Sequence, residues 1–175
     1  MVFNCCSPAI RCRMIVIGLD RPGKRRFYSK LTGEHDEIEN TLVKHLEQKI
    51  EYNGLQIYLC LLDENEGMRK LWSCNAKLAD ALIYVIDAAD SKNFDYSVSE
   101  FKTIIEGEKN IEKMNVLLFC NNATNMDGRL NVLEKEYGGY KNISVFPCRI
   151  EEWENVDQGM KWLSKRVKSK YKSFN

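Results

Sequence analysis

The sequence predicts an α/β protein built on a mainly parallel sheet with helices on both faces. Two observations carry this. Short, nearly continuous apolar runs, Met14–Ile17, Leu82–Ile86 and Val116–Cys120, alternate with longer amphipathic stretches. That is the pattern of strands buried on both faces and joined by crossover helices. Two further runs, Glu47–Tyr52 and Leu55–Leu62, flank Asn53-Gly54. Asn-Gly between such runs marks a two-residue hairpin, because both turn positions need positive φ. The hairpin adds one antiparallel edge strand.

In chain order, Met14–Ile17 reads as a strand stopped by Gly18, and Lys24–Leu31 as a helix. Residues 32–46 are polar and carry no clear period. After the hairpin, Glu66–Asn75 reads as one helix. Leu82–Ile86 is a strand ending at Asp87, and Tyr96–Glu106 is helical through Val98, Phe101, Ile104 and Ile105. These spacings are those of one buried helix face. Val116–Cys120 is a strand, Leu130–Tyr137 a helix and Ile143–Pro147 the last strand. Val156–Tyr171 is the closing helix, with Met160, Leu163 and Val167 inward. In such a sheet the ligand crevice lies outside the carboxyl ends of the strands, where residues 18–24, 63–67 and 121–124 meet.

A chain of 175 residues suits one domain. With 44% hydrophobic and 29% charged residues it is not a disordered chain. Lys and Arg number 26 against 25 acidic residues, too balanced for a protein that coats nucleic acid. No apolar run reaches the ~20 residues of a membrane span, and the opening residues do not read as a signal peptide. The seven cysteines are an odd number, and Cys60, Cys120 and Cys148 lie in or beside apolar runs. A reducing cytosol is expected. His35 and His45 are too few and badly spaced for a zinc site, and no C-x-x-C occurs.

Residues 18–24 run Gly-Leu-Asp-Arg-Pro-Gly-Lys. Both glycines, the lysine and the spacing of a phosphate loop are present between a strand and a helix. The glycines let backbone N–H groups point at phosphate oxygens. The helix N-terminus adds a partial positive charge and Lys24 a full one. Arg25 stands where a Ser or Thr would offer its hydroxyl to Mg²⁺.

Gly18-Leu19-Asp20, Gly23 and Lys24 together resemble the GLDxxGK signature of the ADP-ribosylation-factor (Arf and Arf-like) small GTPases. Further along, Glu51–Leu55 resembles the hairpin between the family's switch regions, Arg69–Trp72 its R-P-L-W, and Leu82–Asp87 its fourth strand. Asn121 falls on the first residue of N-K-x-D, and Trp162-Leu163-Ser164 resembles W-L-S in the last helix. The resemblance spans roughly residues 13–170. It implies a Ras-like P-loop GTPase fold: a mostly parallel six-stranded sheet with one antiparallel edge strand. Residues 1–12 would be a short extension, 13–171 the domain and 172–175 a basic tail.

Carried over position by position, the resemblance implies a nucleotide site made of Gly18, Asp20, Gly23, Lys24, Arg25, Arg26, Asn121, Asn122, Thr124 and Ile150. GTP or GDP is the implied ligand. The Mg²⁺ positions are altered: Arg25 replaces Ser/Thr, Leu61 replaces the Asp of D-x-x-G, and Leu42, beside Thr41, replaces the switch I Thr. Two carboxylates, Asp63 and Glu64, replace glycines where the γ-phosphate is sensed, and Asn65 replaces the glutamine that orients water. Thr124 replaces the Asp that pairs with guanine. The backbone N–H of Ile150 is expected to reach a base oxygen, and Asn121 to brace the phosphate loop. No catalytic residue and no metal ligand is assigned.

The reading is therefore a regulatory protein of the intracellular trafficking and signalling class, with weak or atypical guanine-nucleotide binding and little or no hydrolysis. The alternative is a nucleotide-independent scaffold for protein–protein contacts. A P-loop kinase for a small phosphate acceptor is the weakest reading. Protein effectors or regulators are the implied partners, with no nucleic acid. The family's aromatic effector triad falls on His45, Cys60 and Asn75, so a different partner, or none through this face, follows, and Trp72 reads as a core residue. Val2 stands where myristoylation needs glycine. Cys5-Cys6 reads either as two ordinary thiols or as an acylation site. The basic end from Lys165 to Lys172 reads either as a solvated helix end or as a peripheral membrane contact. The expected location is cytoplasmic, peripheral to membranes.

Overall fold

The computed structural model describes residues 10–19, 21–34, 45–107, 114–123 and 128–172. In chain order the elements are β1 (Ile10–Ile17), α1 (Arg21–Thr32), β2 (His45–Tyr52), β3 (Leu55–Leu62), α2 (Glu66–Arg69), α3 (Trp72–Lys77) and β4 (Ala81–Asp87). They continue with α4 (Phe94–Gly107), β5 (Asn115–Asn121), α5 (Gly128–Tyr137), β6 (Ile143–Cys148) and α6 (Val156–Lys172). The strands form one sheet in the order β2-β3-β1-β4-β5-β6. β2 runs antiparallel to β3, and every other pair is parallel. The Asn53-Gly54 turn has φ of 47° and 68°, the positive pair that the hairpin demands.

Side chains alternate across the sheet and build two cores. On one face Ile15, Ile17, Tyr84 and Leu118 pack under Trp72, Phe101 and Tyr137 of α3, α4 and α5. On the other, Met14, Val16, Val85 and Phe119 pack under Phe27 of α1 and Met160, Leu163 and Val167 of α6. Each fully buried aliphatic side chain contributes about 1.5–3 kcal/mol. The central strands are thus covered on both sides, and the loops at the carboxyl end of the sheet are open to form a site.

Two elements differ from the sequence reading. β1 begins at Ile10, ahead of the expected start at residue 14. Its first residues extend the ladder to β3, with Ile10 opposite Leu55 and Cys12 opposite Ile57. Arg11 and Arg13 interrupt the apolar run there and hide the strand. The single helix expected over Glu66–Asn75 is two short ones. Leu71 N–H bonds Met68 O at 2.9 Å, a tightened turn that ends α2. The break lets Trp72 bury at 1% exposure while Leu71 stays 46% exposed.

Burial also sets a pH dependence. Burial and the Asp80 carboxylate push the Cys12 thiol up to about 12 from an ordinary 9.0. Tyr52 rises to about 12 through burial and Asp157, and Tyr171 to about 12 through burial and Asp80. The folded state therefore holds these protons more tightly than the unfolded chain. Their contribution is complete below the unfolded pKa values and is lost as pH rises through the folded ones. Urea midpoints should stay level to about pH 9 and then decline steadily. A midpoint still level at about pH 11 would contradict the assignment.

Candidate phosphate-loop site

β1 delivers the chain to Gly18, which has φ +143° and packs so closely on β4 that an added Cβ would lie 2.2 Å from Val85 O. Only glycine makes this approach. The loop then enters α1, whose first turns carry Lys24 and Arg25. Lys24 is 1% exposed. Its Nζ donates to Gly18 O, closing the loop on itself, and to Glu64 Oε2 at 2.9 Å. Arg25 Nη2 donates to Asp63 Oδ2 at 3.2 Å, with both side chains 16% exposed. The two basic residues of the cradle thus each hold a carboxylate from the segment after β3.

That segment is itself fastened. Asp63 Oδ1 accepts from Asn65 N–H at 2.9 Å. Asn65 Oδ1 accepts from Met68 N–H at 3.0 Å and caps α2. Trp72 Nε1 donates to Asp63 O at 3.1 Å. Asn65, at the water-orienting position of the resembled family, has its side-chain oxygen engaged as a helix cap. Leu61, at the metal-aspartate position, is 5% exposed within the core. The space bounded by Lys24, Arg25, Leu46, Leu61, Leu62, Asp63 and Glu64 has a volume of about 10 Å³, room for about one water. Trp72→Phe deletes the bond to Asp63 O and leaves part of the buried indole volume unfilled, so it should cost about 1 kcal/mol for the bond and more for the cavity in urea unfolding. An unchanged midpoint would mean that the bond does not hold the segment.

On the base side, Asn121 ends β5 at 6% exposure. Its Oδ1 accepts from Ile150 N–H at 2.9 Å. This bond ties the loop after β6 to the end of β5. Asn122 adopts φ 57°; its Nδ2 bonds Asp87 Oδ1 at 3.0 Å, and its N–H bonds Cys148 O at 2.9 Å. The ends of β4, β5 and β6 are thereby stitched together. Arg26, grouped with the nucleotide ligands, forms an ion pair with Glu151 at 2.7 Å. Lys30 Nζ donates to Glu151 O, and Phe27 stacks on Trp153 with centroids 5.9 Å apart and planes at 15°. Sequence reasoning missed Glu151 and Trp153, because nothing local marks them as partners of α1. Asp20, Leu42, Thr41 and Thr124 lie outside the described residues.

A phosphate loop at the end of β1, in a six-stranded sheet with one antiparallel edge, is the architecture of the small GTPases. The profile of the ADP-ribosylation factor family matches residues 3–167, and the chain belongs to that family. It is 29% identical over 165 residues to ADP-ribosylation factor-like protein 1 of Drosophila melanogaster, covering 90% of each chain. It is 26% identical over 165 residues to ADP-ribosylation factor 1 of Brassica rapa subsp. pekinensis, covering 90% of this chain and 88% of the relative. The fold matches the Arl6 BBS3 small GTPase of Trypanosoma brucei, solved with the nucleotide analogue GppNp, at a TM-score of 0.76 and 18% identity. That match covers 91% of this chain and 98% of the other.

Proposed function

We infer that this Arf-family protein is a regulatory protein that binds guanine nucleotide weakly and hydrolyses GTP little or not at all. The observation that carries the reading is the pairing of Lys24 with Glu64 and of Arg25 with Asp63. Phosphate oxygens compete for both cations against carboxylates already in place. A charge-assisted hydrogen bond contributes about 1.5–3 kcal/mol, so each displaced pair lowers nucleotide affinity by roughly 10–150-fold. Hydrolysis loses its usual supports as well, since Leu61 offers no metal ligand and the Asn65 oxygen is tied to α2. In keeping with the family resemblance, the partners are protein effectors or regulators of trafficking and signalling. The location is cytoplasmic, with a peripheral membrane contact through the basic end of α6.

The second reading, a nucleotide-independent scaffold, has its own support. Residues 63–65 are fastened to the cradle by the Glu64–Lys24 and Asp63–Arg25 pairs and to Trp72 by its bond to Asp63 O. Two measurements separate the readings. Freshly purified protein is denatured and released nucleotide identified by ion-exchange chromatography. Thermal melts are then taken with GDP, GTP and ATP, with and without Mg²⁺. Substoichiometric guanine nucleotide and a shift only at high GDP or GTP supports weak binding. A ligand at 100 times its dissociation constant adds about 2.7 kcal/mol. Empty protein with no shift moves the assignment to the scaffold. GTP turnover in Mg²⁺ at the rate of an intact small GTPase refutes both.

A further inference from the structure

The sheet edge carries a second chemical cluster, outside the phosphate-loop site. β2 pairs with β3 so that Glu47 lies opposite Cys60 and His45 opposite Leu62. His45 and Glu47, two residues apart, share one face of β2, and Cys60 comes up on the same face of β3. His45 Nε2 lies 3.4 Å from Glu47 Oε2 and 3.6 Å from Cys60 Sγ. The three donor atoms lie within 4.8 Å of one another, the one such group of His, Cys and acidic side chains among the described residues. We propose that His45, Glu47 and Cys60 form a binding site for a borderline-soft divalent cation of the Zn²⁺ class.

The donor set argues for this ion. Imidazole nitrogen, thiolate sulfur and carboxylate oxygen are the ligands of Zn²⁺, at about 2.0–2.1, 2.3 and 2.0–2.2 Å. Tetrahedral angles between bonds of those lengths place N and S about 3.6 Å apart and N and O about 3.4 Å apart. The structure has 3.6 and 3.4 Å. Cys60 Sγ also lies 3.8 Å from His45 Nδ1, so the sulfur sits beside the ring, and the exposed imidazole turns its Nε2 lone pair toward the sulfur before one cation reaches all three donors. The ladder between β2 and β3 fixes the backbone beneath them. Cys60 is buried, while the His45 and Glu47 side chains are 41% and 37% exposed. A hydrated cation therefore enters from solvent and keeps a water as its fourth ligand. A set of one sulfur, one nitrogen and one carboxylate disfavours Ca²⁺ and Mg²⁺, hard cations that take oxygen ligands.

Arg13 also faces the cluster, with Nη2 3.4 Å from Glu47 Oε2. That is the oxygen that faces His45, and the guanidinium also lies beside the Cys60 thiol, so the cation displaces Arg13 from Oε2 as it binds. Binding forms a sulfur–metal bond and breaks the S–H bond, and the proton leaves to solvent with no change of oxidation state. Affinity therefore rises with pH. The three residues stand at positions 45, 47 and 60, which no metal motif describes. Only the antiparallel pairing brings them together, which is why spacing alone argued against a zinc site.

The test uses the full chain, reduced with a reductant that does not bind metal and with no nucleotide added. Co²⁺ is titrated in, and Zn²⁺ is then added to displace it. One equivalent of Co²⁺ should produce a thiolate-to-cobalt charge-transfer band that Zn²⁺ removes, and Zn²⁺ alone should raise the melting temperature. Exposed His45→Ala should weaken Co²⁺ binding by about tenfold or more and abolish the Zn²⁺-dependent shift. Cys60→Ser should lose the band. A triple variant, Cys5→Ser, Cys6→Ser and Cys74→Ser, should keep it. The proposal is overturned by the absence of a band at one equivalent, by a band that survives His45→Ala unchanged, or by its loss in the triple variant. Because His45 is exposed, that variant decides the matter even where Cys60→Ser fails to fold.

Discussion

Glu64→Gln combined with Asp63→Asn should raise the affinity of the protein for GDP by at least about tenfold. The wild-type carboxylates lie 2.9 Å from Lys24 Nζ and 3.2 Å from Arg25 Nη2, where phosphate oxygens would compete for the same donors. Amides remove two negative charges while keeping the shape of both side chains. The amide oxygen introduced at position 63 can still accept the Asn65 N–H that shapes the turn. The free protein should pay for the change, because Lys24 is 1% exposed and loses its charged partner, at about 1–3 kcal/mol. GDP at 100 times its dissociation constant would return about 2.7 kcal/mol. The double variant should therefore melt below wild type when free and respond more strongly to GDP. Titration with a fluorescent GDP analogue reads the affinity directly. A folded variant that binds GDP no better than wild type would show that the two carboxylates do not compete with phosphate.

Gly18→Ala should have the largest effect on stability, a loss of at least about 3 kcal/mol. Two independent causes add. The residue sits at φ +143°, and the new Cβ would meet Val85 O at 2.2 Å. The obstructing atom is backbone at the centre of the sheet, so no side chain can rotate away. Relief requires β1 and β4 to part beside the pair Ile17 and Tyr84. Soluble yield and a urea midpoint give the result. A wild-type midpoint would mean that the strands tolerate the wider spacing.

What the sequence disclosed follows from the range over which each signal acts. Leu82–Ile86 and Val116–Cys120 were legible as strands because burial on both faces leaves an unbroken apolar run. The Asn53-Gly54 turn was legible because its φ values restrict residue choice. The glycines and lysine of the phosphate loop were legible through their spacing. The first residues of β1 were not, since Arg11 and Arg13 mask a strand that is specified by its partner β3. The break between α2 and α3 was not, since burial of Trp72 decides it. Asp63 and Glu64 could be recognised as hostile to phosphate. Their pairing with Arg25 and Lys24 joins positions 38 and 40 residues apart, and only the fold supplies that proximity. The same holds for Glu151, Trp153 and the cluster around His45.

The strand order has a consequence for synthesis on the ribosome. β1 is made first and lies between β3 and β4, so neither neighbour exists when Met14–Ile17 leaves the exit tunnel. The β2–β3 hairpin can close early, because its contacts are local. Phe27 and Phe119, by contrast, share a core with Met160 and Leu163 of the last helix. At roughly 5–20 residues per second, the first strand waits roughly 7–30 seconds for its last cover. During translation the most apolar segment of the chain is therefore also the one exposed longest, and chaperone engagement with nascent chains should concentrate on residues 14–17 until α6 has emerged.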